Sequence, residues 1–129
     1  MTQLARYAYV AVIWLYLVGL LTQVYLAGMG LFGATPTLEL HRNVGYLVHL
    51  LTLLVIITAL VARIGRPAIW WVVALTVIGL AQPLLPSMRA VTPWVAALHP
   101  LLAVVLVVLA VKLALDGRSM LGAAPSTEA

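Results

Sequence analysis

Few side chains in this sequence can do chemistry, and those that can stand inside apolar surroundings. The stretch Glu39-Leu40-His41-Arg42-Asn43-Val44-Gly45-Tyr46 opens one long apolar run, and His49 follows about two helical turns after His41. Gln23 sits in the run before it, and Gln82 and His99 lie in the runs after it. Neutral imidazole is the commonest metal ligand among side chains, and a porphyrin wants an apolar slot of the kind a helix bundle supplies, so histidines on two helices point to axial coordination of a haem iron. A zinc or copper site wants three or four converging ligands, against which the chain sets three histidines and no cysteine. Without cysteine there is no disulfide, iron–sulfur cluster or thiolate-ligated metal.

The elements that must position these groups follow from composition. Hydrophobic residues make up 65% of the 129 positions and charged residues 8%, with a mean hydropathy of +1.17, which describes a protein of the bilayer. The formal charge of +4 comes from cations scattered between apolar segments instead of massed on one face, so nucleic acid is not the partner; membrane lipid is.

Four apolar spans are expected, over about residues 7–32, 40–62, 68–85 and 93–115. The first exceeds the apolar core of a cleaved signal peptide. Turn chemistry in Gly33-Ala34-Thr35-Pro36-Thr37 offers Thr35 or Thr37 as a cap for the second span, and Arg63-Ile64-Gly65-Arg66-Pro67 closes it. Trp70 and Trp71 anchor the start of the third span, Pro83 and Pro86 break its end, and Thr92-Pro93-Trp94 reads as cap, first helical residue and anchor for the fourth. Short connections make the fold class an all-α membrane protein, a four-transmembrane-helix up-down-up-down bundle over residues 1–118, with a flexible tail at 119–129 and polar, loose sequence from Asp116. Arg6, Arg63, Arg66, Lys112 and Arg118 fall on one side, and Arg42 and Arg89 on the other, which puts both termini in the cytoplasm.

On that topology Gln23, Glu39, His41, Arg42, Gln82 and His99 gather in or near the outer half of the membrane. Groups of this kind cost several kcal/mol at depth unless partnered, so a ligand-binding role is the default for the cluster. Gly45, at i+4 from His41, leaves room where a macrocycle edge would press, as do Ala96 and Ala103 around His99; Arg42 and Tyr46 are placed to receive propionates. The plain reading is that His41 caps a helix mouth and that His99 satisfies its ring against Gln82 and Gln23. His49 is either a buried hydrogen-bonding histidine or the true partner of His99. If Lys112 and Arg63 mark one plane, His49 lies at the depth of His99, whereas taking Arg118 as the boundary puts His99 nearer the His41 depth.

The Glu-x-His-Arg opening of span two, Gln82 with the prolines closing span three, and Ala97-Leu98-His99-Pro100 in span four resemble one four-helix half of bacterial haem A synthase. They also resemble a family of small, uncharacterised four-span bacterial membrane proteins, over nearly the whole chain. The likeness to the synthase implies that His41 and His99 are the haem ligands, and it implies a bacterial inner (plasma) membrane. The chain corresponds to one half only, its glutamate stands two residues before the histidine instead of three, and it lacks the cysteine pair of many synthases, so haem ligation is implied and haem A synthesis is not.

Two function classes follow. One is a haem b-binding electron-transfer protein, a bis-histidine b-type cytochrome or haem carrier passing single electrons to a quinone or a larger membrane redox complex, and not itself an enzyme. The other is a structural or assembly subunit of a larger membrane complex, without haem.

Overall fold

A computed structural model describes residues 2–122, which are helical with no strand among them. The helices are α1 (Thr2–Leu31), α2 (Glu39–Ala62), α3 (Arg66–Ala81), α4 (Pro93–Ala96) and α5 (Leu98–Gly122), with a 3-10 turn at Pro86–Ala90. Three rods are long and apolar enough to cross a membrane: α1, α2 and the nearly continuous α4–α5 stretch. At 16 residues α3 is shorter, covering about 24 Å at about 1.5 Å per residue.

Local chemistry sets the ends. Thr35 Oγ1 donates to the Thr37 carbonyl at 3.0 Å and Thr37 Oγ1 accepts the Glu39 N–H at 3.2 Å, so both threonines shape the start of α2, although the formal N-cap is Leu38. Arg63 ends α2 in the left-handed region at φ 52°, and Gly65 at φ 91° makes the reversal into α3. The third helix stops at Ala81, short of the expected 85, because Pro83 and Pro86 offer no N–H to the Gly79 and Gln82 carbonyls. The fourth run breaks at Ala97 for the same reason: Pro100 cannot donate to the Ala96 carbonyl and its ring crowds it. Thr92 does sit at the N-cap of α4, but its buried hydroxyl makes no capping bond. The last helix runs past the expected 115 to Gly122, so Asp116–Ser119, read as loose from their polarity, are helical; residues 123–129 lie outside the described residues.

Helix α1 packs against α2 and α5, and α3 packs against the same two, which sets α2 and α5 on opposite corners of a four-cornered bundle. Each helix contributes a seam of buried positions spaced alternately by three and four, the spacing that keeps one face of a slightly supercoiled helix inward. On α1 the seam is Tyr9, Ile13, Tyr16, Leu20 and Gln23. On α2 it is Gly45, Val48, Thr52, Val55, Ala59 and Ala62, and on α3 it is Val72, Leu75, Gly79 and Gln82. On α5 it is Leu106, Ala110, Leu113 and Gly117. Small residues let the backbones approach: a side chain on Gly79 would begin 2.5 Å from Thr52 Cγ2 and 3.3 Å from the Tyr16 hydroxyl, and one on Gly117 would begin 3.1 Å from Val10.

Candidate functional site

Continuing each seam to the end of the bundle that carries the 32–38 and 82–92 connections brings in one polar residue per helix. Stepping back four from Gly45 gives His41, and stepping back seven from Leu106 gives His99. Gln23 and Gln82 end the seams of α1 and α3, 9% and 1% exposed. Four corners thus contribute two amides and two imidazoles to one layer.

The contacts in this layer repeat. His41 Nδ1 lies 3.0 Å from the main-chain oxygen of Gln23, and His99 Nδ1 lies 3.1 Å from the main-chain oxygen of Gln82. At His99 an Nδ1–H donating to the carbonyl leaves the lone pair on Nε2, whereas His41 Nδ1 also lies 3.1 Å from the turned Gln23 amide nitrogen; neither Nε2 has a hydrogen-bond partner among the described residues. The Gln82 carbonyl is open to His99 because residue 86, its ordinary helical partner, is proline. Each glutamine side chain then returns to the histidine's own backbone. Gln82 Nε2 donates to the His99 carbonyl at 3.2 Å. With its amide turned so that nitrogen faces acceptor and oxygen faces donor, Gln23 donates to the His41 carbonyl at 2.8 Å and accepts the Gly45 N–H at 3.2 Å. That approach needs Gly45, since a side chain there would begin 3.1 Å from the Gln23 amide. The gap foreseen for a macrocycle edge is therefore filled by Gln23.

The imidazoles of His41 and His99 face each other across the α2–α5 diagonal, with ring centroids 6.2 Å apart and planes at 86°. At this spacing and angle the two rings stand edge to face. Among the described residues no three His, Cys, Asp or Glu converge as a metal site.

Of the remaining candidates, Arg42 is exposed and 3.9 Å from Glu39, an ion pair of little energetic weight. His49 is half-buried and lies off the α2 seam, one position past Val48. With Tyr46, Leu50, Leu80 and Pro83 it lines a cleft of about 320 Å³ between α2 and α3. Sequence reasoning passed over Tyr16, whose hydroxyl is buried in the core without a partner, and over Pro86 as the residue that frees the Gln82 carbonyl.

Helices of this length and apolarity around a part-buried histidine–glutamine layer define an all-helical bundle of the membrane type, in contact with lipid. The chain belongs to DUF6220, a family of unknown function, whose model matches residues 23–91. That segment contains Gln23, His41, Gly45, His49 and Gln82, while His99 lies beyond it. Neither a curated protein nor a solved structure matches the chain, so the likeness to haem A synthase rests on its residues alone.

Proposed function

We propose that this chain is a four-span membrane protein that binds one haem b through His41 and His99 and carries single electrons within the membrane. The observation that supports the reading most is the histidine pair itself: two rings 6.2 Å apart, each with Nδ1 committed to a carbonyl and Nε2 free. When bound, haem supplies a one-electron iron couple. The chain's own contribution is to hold both rings. Each Nδ1–H···O=C bond fixes ring orientation and raises the basicity of Nε2, and the two glutamine amides tie the histidine-bearing turns of α2 and α5 to α1 and α3. The mainly apolar core at mid-bundle, with Tyr9 and Tyr16 among its aliphatic side chains, keeps water away from the layer. Arg42, next to His41 in sequence and exposed at the bundle end, is a cation placed to receive propionates.

On the cation distribution we assign the His41–His99 layer to the outer half of a bacterial inner membrane, with both termini cytoplasmic. Its redox partner on this reading is a quinone or a larger membrane complex. A second reading, a haem-free structural or assembly subunit, is favoured by one observation: the Gln–His contacts already tie the helices to one another. Haem content separates the two. Detergent-purified protein assayed as the pyridine haemochrome contains about one haem b per chain on the first reading, and none, even after incubation with haemin, on the second.

A further inference from the structure

The Gln–His layer is built from two hairpins, α1–α2 and α3–α5, each tied by one glutamine and one histidine. The ties stand at different places. In the first hairpin α1 runs on from Gln23 to Leu31 before the chain turns, whereas in the second α3 stops at Ala81, one residue before its glutamine. Gln82 and His99 lie 17 positions apart and bond each other twice, Gln82 Nε2 to the His99 carbonyl at 3.2 Å and His99 Nδ1 to the Gln82 carbonyl at 3.1 Å. Everything between them, the 3-10 turn and α4 included, therefore stands on two feet that belong to the layer. Each foot lies beside a hinge: Pro83 and Pro86 end α3 at the first, and Pro100 breaks the fourth run at Ala97 at the second.

Between the hinges the chain is bonded to itself. The main-chain N–H groups of Met88, Val91, Thr92, Val95, Ala96 and Ala97 all donate to carbonyls inside the segment, at 2.8 to 3.2 Å, and Ser87 Oγ donates to the Leu84 carbonyl. Neither the 3-10 turn nor α4 contributes a buried residue; they pack on each other and, through α4, on α5. A segment that is bonded internally and packed shallowly opens as one piece and more readily than the helices it joins. We propose that residues 83–98 are a hinged lid at the end of the bundle that holds His41 and His99, latched by the Gln82–His99 pair. With both bonds made the two feet are held together and the lid is closed, as in the structure. With them broken the segment swings on its prolines and opens a way to the His99 ring. That the group admitted is haem rests on the function proposed above, whereas the motion stands without it.

The sequence has no cysteine, so spin labels attach only where cysteines are placed. Val91, 85% exposed in the lid, and Leu47, 65% exposed on α2, take them as Val91→Cys and Leu47→Cys. Double electron–electron resonance on haem-free, full-length protein in nanodiscs then reads the distance between the labels. The expected result is two distances, a closed one and a longer, open one. Gln82→Leu, which removes the side-chain half of the latch, should raise the open-to-closed ratio about fivefold. Pro100→Ala, which gives the Ala96 carbonyl its donor and joins α4 to α5, should remove the longer distance. Circular dichroism establishes that each variant stays helical, and Gln82→Met replaces the leucine variant if that one does not fold. A ratio that Gln82→Leu leaves unchanged, a single distance in both proteins included, or a longer distance that survives Pro100→Ala overturns the proposal. A protein that never takes up haem defeats the function proposed above and leaves these distances as they are.

Discussion

Removing the His99 imidazole takes away both a proposed iron ligand and the donor that occupies the Gln82 carbonyl, and removing His41 does the same to Gln23. In haem-loaded protein, His99→Ala and His41→Ala should each lose the low-spin spectrum, leaving five-coordinate high-spin iron or no haem, while His49→Leu should keep six-coordinate iron. Low-spin bands that survive His41→Ala and vanish in His49→Leu transfer the ligand role to His49. Pro86 offers a finer probe, because its missing N–H leaves the Gln82 carbonyl to His99. Pro86→Ala restores a competing donor, weakens the Nδ1–H bond and makes Nε2 a poorer base. The haem midpoint potential should rise relative to wild type in a redox titration; an unchanged or lower potential counts against Nδ1–H as the tuning contact.

The seams explain both what could be read from sequence and what could not. The apolar runs are long, so the helices were legible, and prolines at 83, 86 and 100 marked where they fail, although the missing N–H groups ended the third helix four residues early and split the fourth run at Ala97. The identity of the polar layer was legible as residue types at one membrane depth. Which histidine faces His99 was not, because counting depth from Lys112 and Arg63 ignores face. Lys112 is no boundary: it pairs with Asp116 at 2.5 Å and lies over Trp71, while Gly117 still packs against Tyr9 and Val10 inside the bundle. The alternating three-and-four spacing of Gly45, Val48 and Thr52, extended back, passes through His41 and misses 49. Close approach of α2 and α3 at Gly79 was likewise hidden, since it depends on Thr52 and Tyr16 meeting there. Gly79→Ala should cost about 1–3 kcal/mol by overpacking. Thermal unfolding in detergent measures it, and a variant as stable as wild type would show that the α2–α3 contact is looser than described.

Across the whole molecule, two Gln–His hairpins meet with their histidines on opposite corners, so the proposed haem would draw one ligand from each half. Cations divide five to two between the ends of the bundle, which predicts cytoplasmic termini. A reporter fused after residue 129 should be active in its cytoplasmic form only; activity of a periplasm-dependent reporter at that site reverses the orientation. The perpendicular rings also predict an electronic signature. Imidazole planes at 86° raise the two iron dπ orbitals almost equally, whereas parallel planes split them. Low-temperature electron paramagnetic resonance of the oxidised, haem-loaded protein therefore tests the His41–His99 pair most directly. Ligation by that pair predicts a highly anisotropic low-spin ferric signal; a high-spin signal, an ordinary rhombic low-spin signal or a preparation with no protein-bound iron would contradict it.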